Sequence, residues 1–371
     1  MNCKILSKFI EEWAPLGAAW SKDNVGLQVG KLERNIKNVL LTLDINDEVA
    51  DEALKKDCNL IISHHPLLFY PIKKLNLDSD PKSKLIEKLI LNRTTAISYH
   101  TNLDFTKDGV SFELAKKLDL NNIEFLAPSE SSRKKVVVYV PRNSVDTVSR
   151  ALFEAGGGII GNYEKCSNQI EIKGTFLGND DSNPTLGEKG NFEIVDEVRL
   201  EAVFDNWNIS RAVKAIKEFH PFEEPAFEIY NLENDNFQYG SGAVGNLERD
   251  LSQEEFLNLV AIKLNLKNLR YCKGSGRRIK RIAVCGGSGS DLLNRAISIN
   301  AEAFITADIK YHTFQEAEGK ICLIDAGHFE TEYPILFELK KRLEGLFKEN
   351  NEEIKVFISE SKTNPIEYLK T

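Results

Sequence analysis

A chain of 371 residues is long for one compact core, and 42% hydrophobic with 28% charged residues is the balance of a globular protein, which excludes bulk disorder. The formal net charge of -8 disfavours nucleic acid as the main partner, because phosphate binding needs a basic field. No apolar run approaches the ~18 residues that a membrane span needs, so no membrane association is expected.

The opening "MNCKILSKFIEEWAPLG" carries acids where a signal peptide needs an apolar stretch. It predicts an amphipathic helix with Ile5, Leu6, Phe9, Ile10 and Trp13 on one face. Strands are predicted at "NVLLTLDI", "NLIISHH" and "TAISYH". Helices are predicted at "NDEVADEALKK", "DPKSKLIEKLILNR" and "GVSFELAKKLDL". Alternation of this kind predicts βαβ units on mostly parallel sheets. From about residue 133 the order becomes β-α-β-β-α-β, a ferredoxin-like α+β module. After residue 234 the first pattern returns, with "RIAVCGG", "AFITAD", "CLIDAGH" and "EIKVFIS" as strands. The expected organisation is an α/β core in two parts, 1–132 and 235–371, interrupted by an inserted domain at 133–234. The basic run "KGSGRRIKR" at 273–281 reads as a solvated linker. The cysteines are six (Cys3, Cys58, Cys166, Cys272, Cys285, Cys322), without a CxxC pair. They read as reduced core thiols, which implies a cytoplasmic location.

In open α/β sheets, ligands gather outside the carboxyl ends of the strands. Five of the six histidines fall there: His64 and His65, His100, His312 and His328. Asp104, Asp308 and Glu332 follow the same strands. Imidazole and carboxylate together suit zinc, iron or manganese without choosing among them. Neighbouring side chains of an extended segment diverge. His64 and His65 are therefore expected to serve two ions, with Asp104 and Glu332 as bridging carboxylates. Pro334 limits how early the next helix can start, which predicts Glu332 in its first turn and His328 just outside it. The turn "GGSGSDLL" could present free N–H groups to an anion, but it lacks the Lys of a P-loop; a tight strand-to-helix turn is an equal reading.

Together "IISHHPLLF", "YHTNLD", "CGGSGS", "ITADIKYH" and "AGHFETE" resemble the GTP cyclohydrolase I type 2 homologs, or NGG-interacting factor three-like dinuclear-metal proteins. The resemblance implies two divalent metal ions per subunit, held by His64, His65, Asp104, His328 and Glu332. "GIIGNYEKCS" and "HPFEEPAFEIY" resemble the PII/CutA-like insert of the long bacterial members, which implies a homohexamer. His220 in that insert could bind metal with Glu223 and Glu224, though a turn-stabilising role before Pro221 is preferred. The family's N-terminal tryptophan position holds Lys22 here, with Trp20 displaced, and Ala307 replaces a family glycine before Asp308.

The expected activity is that of a dinuclear-metal-dependent hydrolase, on the family's name a purine ring opening of GTP with a metal-activated water. Asp308, His312 and His100 are the candidates for orienting ligands or moving protons, and Gly287–Ser290 for holding the triphosphate. A phosphoester hydrolase of other substrate is equally compatible with these residues. The rival class is a non-enzymatic metal-binding or regulatory ring.

Overall fold

The computed structural model describes residues 1–129 and 132–369. The chain divides into two compact units, Met1–Ala127 with Tyr239–Thr371, and Pro128–Gln238. No helix among the described residues is long and apolar enough to cross a membrane.

The first unit holds two sheets. One runs in the spatial order Gly26–Val29, Thr95–Ser98, Leu60–Ser63, Asn38–Thr42, Lys355–Ile358. Its last four strands are parallel and Gly26–Val29 is an antiparallel edge. Every residue of Leu60–Ser63 and Thr95–Ser98 is buried. That is why these strands read as continuous apolar runs: both faces of a parallel sheet are covered. On one face Val39, Leu41, Leu60, Ile62 and Ile97 pack with Ile335, Leu336, Leu339 and Leu343 of the helix Ile335–Glu349. The helix Cys3–Trp13 joins the same cluster through Cys3, Leu6 and Ile10, and the Asn2 side chain caps it by accepting from the Ile5 N–H. Ile5 itself is exposed, contrary to the predicted face, because the stripe that meets the core is 3, 6, 7 and 10.

The second sheet has the order Arg270–Tyr271, Cys322–Asp325, Ala303–Thr306, Ile279–Val284, Asn236–Leu251, Asn121–Ser129. Ile279–Val284, Ala303–Thr306 and Cys322–Asp325 are parallel to one another, while Asn236–Leu251 and Arg270–Tyr271 pair with them antiparallel. The last strand of the chain does not join it; Lys355–Ile358 returns to the first sheet and pairs with Asn38–Thr42. In the basic run, Arg278 is paired with Asp250 and with Glu255.

The second unit is a four-stranded antiparallel sheet in the order Asn168–Leu177, Phe192–Asp205, Arg133–Pro141, Phe227–Asn231. Helices Val145–Glu154 and Ile209–Phe219 close its own core through Val148, Leu152, Ala212 and Ile216 against Val136, Val138 and Leu200. His220 is buried in this unit. Its Nε2 lies 2.8 Å from the Tyr139 carbonyl and its Nδ1 accepts from the Phe222 N–H at 3.1 Å. Both ring nitrogens are thereby used, and burial holds the imidazole below its usual pKa. His220 braces a turn and offers no lone pair to a metal with Glu223 and Glu224.

Candidate metal centre

Three strand ends of the first unit bring four imidazoles into one pocket. His64 and His65 follow Leu60–Ser63 directly, and the backbone bends at both residues. The bend cancels the divergence expected of an extended pair: the two rings stand 5.0 Å apart in the same pocket. His100 follows Thr95–Ser98, with its ring 5.2 Å from His64 and 5.5 Å from His65. His328 follows Cys322–Asp325, with its ring 5.4 Å from His65.

The carboxylates arrive on short helical turns. Thr101–Asp104 presents Asp104, whose Oδ1 lies 3.5 Å from His64 Nε2. His328–Glu332 is itself a helix that ends before Pro334. His328 is therefore inside a helical turn rather than outside one, and the i, i+4 spacing sets its Nε2 2.9 Å from Glu332 Oε1. Glu332 is central: His65 Nε2 is 3.0 Å from its Oε2 and His64 Nε2 is 3.7 Å from its Oε1.

The outward-facing nitrogens decide the tautomers. His64 Nδ1 lies 2.9 Å from the Tyr99 carbonyl. A carbonyl only accepts, so Nδ1 carries the proton and Nε2 of the neutral ring turns a lone pair inward. Asp44 Oδ1 does the same for His65 Nδ1 at 2.8 Å, and Asp308 Oδ2 for His328 Nδ1 at 2.7 Å. His100 Nδ1 donates to Asp23, 2.9 Å from Oδ2. Burial alone would raise Asp23, but bonds from His100 and Thr101 hold its carboxyl far below the usual range.

Acceptors thus face acceptors. Among the described residues His64 Nε2, Asp104 Oδ1 and Glu332 Oε2 are buried with no hydrogen-bond partner, although they converge on one space. Glu332 Oε2 stays orphaned with His65 Nε2 only 3.0 Å away, because a neutral ring whose proton sits on Nδ1 offers Nε2 only as an acceptor. Orphaned buried polar atoms are costly unless something of opposite charge sits between them. Two sets of donors lie close enough to share an ion, His64 with His65 and His100, and His65 with His328 and Glu332. The residues present therefore fit divalent metal, and each histidine is oriented by an oxygen behind it.

Without an ion, protons must do the reconciling. Burial opposes charging His65, but its contacts with Asp44 and Glu332 win and lift its pKa to about 10. Contact with Glu332, then Asp308, lifts His328 to about 9 against its own burial. His64 is raised too, the charges of Asp104 and Glu332 outweighing burial. Glu332 would be raised by burial, yet the imidazoles hold it well below the usual carboxylate range.

The glycine-rich turn plays a different part from the anion cradle considered above. The N–H of Gly286 is bonded to Ser111 Oγ, that of Gly287 to Thr331 Oγ1 and that of Gly289 to Thr306 Oγ1. Those donors are already used inside the protein, and the α-helix that follows, Leu293–Ser298, is short. At Gly287 (φ +62) a Cβ would come within 2.3 Å of Glu332 Oε1 and 3.2 Å of His328 Nε2. The turn is built so that backbone can approach the donors. Gly287→Ala is expected to cost about 1–2 kcal/mol of stability from its left-handed backbone alone, and to lower metal content by pushing Glu332 aside. Thermal melting and metal analysis of the purified variant check both.

His312 belongs to neither donor set. It is exposed, its Nδ1 is 3.1 Å from Gln315 Oε1, and its ring lies against Tyr311. His100, expected only to orient or shuttle protons, stands among the donors instead. Asp44 is not among the sequence candidates, although it follows the strand Asn38–Thr42 and the rule that locates the histidines applies equally to it. Asp44→Ala is expected to lower metal affinity ~10–100-fold with the fold intact, the usual effect of losing an oxygen that orients a ligand; competition with a coloured chelator measures it.

The fold and this pocket define a mixed α/β protein with a candidate histidine–carboxylate metal site. The chain belongs to the Duf34/NIF3 (NGG1p interacting factor 3) family, whose model matches residues 1–365. It is 35% identical to the "GTP cyclohydrolase 1 type 2 homolog" of Bacillus subtilis, over 100% of this chain and 99% of that one. It is 34% identical to the protein of the same name from Listeria innocua, over 97% and 96%. Among solved structures, a Bacillus cereus protein related to NIF3 superposes with a TM-score of 0.82 at 33% identity, covering 100% of this chain and 99% of that one. A Staphylococcus aureus protein does so with a TM-score of 0.77 at 32% identity, again over 100% and 99%.

Proposed function

We propose that the chain is a hydrolase that works with two divalent metal ions per subunit, held by His64, His65, Asp104, His328 and Glu332. The observation that carries this is the convergence of orphaned acceptor atoms on one space with every Nδ1 tied down behind them. His100 Nε2 extends the donor set, since Asp23 fixes its other nitrogen. Divalent ions held there supply Lewis acidity and lower the pKa of bound water to near neutrality. The protein's own share is orientation and charge. Asp44, Asp23 and Asp308 keep the Nδ1 protons in place, so the Nε2 lone pairs stay available. Asp104 and Glu332 bring the negative charge that offsets the ions. Asp308 is placed to orient His328 rather than to move substrate protons, and His312 keeps no role in this reading.

The names of the relatives point to GTP as a substrate, with opening of the purine ring; a phosphoester is the alternative on the same residues. The readout is turnover by metal-defined protein across GTP, other nucleotides and phosphoesters, compared with His65→Ala and Glu332→Ala. Wild type is expected to convert at least one of these ~100-fold faster than either variant. Equal rates in all three would leave the pocket as a metal-holding or regulatory centre.

The second unit is read as a PII/CutA-like insert that helps build a homohexamer. Its β-α-β-β-α-β order supports this, as do Ile170, Leu177, Phe192 and Ile194, apolar and exposed on its sheet.

A further inference from the structure

A second cavity lies in the first unit, behind the turn that carries His328 and Glu332. It encloses about 550 Å³ and its wall includes Phe329 and Glu330 of that turn. Phe329 is stacked on Tyr333 at 5.2 Å, and Tyr333 meets Phe337 edge-on at 5.6 Å. Phe337 and Tyr368, both on the wall, are 54% and 45% exposed. Large aromatic faces left open inside a concavity have ring surface to offer.

The rest of the wall is basic. Four lysines, Lys117, Lys263, Lys267 and Lys362, stand against Glu330, Glu367 and the Asp119 that pairs with Lys263, an excess of one positive charge. Lys263 is paired with Asp119 and Lys362 with Glu367, while Asn364 Nδ2 donates to Glu330 at 3.0 Å. Among the described residues Lys117 and Lys267 make no ion pair. These two are the ammonium groups left without an ion pair beside two half-exposed rings, Lys267 also lying close enough to Glu367 to lower its pKa. In a chain of net charge -8 this local reversal of sign is a recognition feature.

We propose that this cavity binds a nucleotide, with its base against Phe337 and Tyr368 and its phosphates on Lys117 and Lys267. Ring stacking and ammonium–phosphate contacts are together the recognition chemistry of such ligands. A free phosphate would leave the rings unused, and a nucleoside would leave the lysines unused. The site is separate from the metal pocket, so it does not depend on the hydrolase reading.

The test uses the full chain stripped of metal with chelator, so that the metal pocket does not contribute. Binding of ADP, adenosine and inorganic phosphate is measured by titration calorimetry. ADP is expected to saturate one site per chain, with adenosine and phosphate each at least ~10-fold weaker. Lys117→Glu with Lys267→Glu, and separately Phe337→Ala, are each expected to weaken ADP at least ~10-fold. Both variants should leave the metal content of unstripped protein and the assembled mass unchanged. Absence of saturable ADP binding overturns the proposal, as does ADP affinity untouched by both variants. A change of assembled mass in the lysine variant, without ADP binding by wild type, would assign the cavity to contact between copies of the chain and also overturn it.

Discussion

Glu332→Gln is expected to empty the metal pocket while leaving the chain folded. The substitution keeps shape and removes one negative charge from the group that lies within 3.0 Å of both His65 and His328. Loss of an outer oxygen costs ~10–100-fold in metal affinity, so loss of the negative charge of a direct donor should cost ~100-fold or more. The metal-free variant changes as well. Glu332 is what lifts His328 first and contributes strongly at His65, so both imidazoles should titrate closer to the usual histidine value. Elemental analysis of metal content and NMR titration of the imidazoles read the two effects independently. Retained metal with unshifted histidines would remove Glu332 from the centre of the site.

The second large effect is in pH, and its sign differs between metal-free and loaded protein. In the metal-free protein His65 is raised to about 10 and His328 to about 9, above the ~6.5 of an unfolded chain. The folded state then binds more protons than the unfolded state between those values. Their contribution to stability is fully present below pH ~6.5 and is lost as pH rises through about 9 to 10. With metal bound the same nitrogens must be free of protons, so loading at neutral pH releases protons and is opposed by acid. Melting temperature against pH is expected to fall on the alkaline side for chelated protein and on the acid side for loaded protein. Calorimetric metal titration in two buffers of different ionisation enthalpy should show at least one proton released per chain. Parallel pH profiles with no proton release would mean that these histidines do not ligate.

Much of the site was legible because parallel strands are short, apolar and end abruptly. In "NLIISHH" and "CLIDAGH" the change from apolar run to imidazole marks a strand end, and strand ends in α/β sheets converge. What escaped was local backbone geometry. The bend at His64 and His65 brings both rings into one pocket, where strand periodicity predicts divergence. Pro334 predicts a delayed helix, yet a separate turn, His328–Glu332, fits before it. Asn236–Leu251 does not read as a strand in the sequence because glycines at 240, 242 and 245 erase its alternation. The turn "CGGSGS" invited a phosphate reading, but its N–H groups are bonded to Ser111, Thr331 and Thr306, distant in sequence and invisible to any motif. The oxygens behind the histidines show the same limit: Asp23 and His100 are 77 residues apart.

The most direct test of the account is anomalous diffraction from crystals of the protein grown with its own metal complement and measured at the metal absorption edges. Two peaks per chain ~4 Å apart, ringed by the Nε2 atoms of His64, His65 and His328 with Asp104 and Glu332 between them, are the predicted result. A pocket without anomalous density, or ions found only on exposed carboxylates elsewhere, would contradict it.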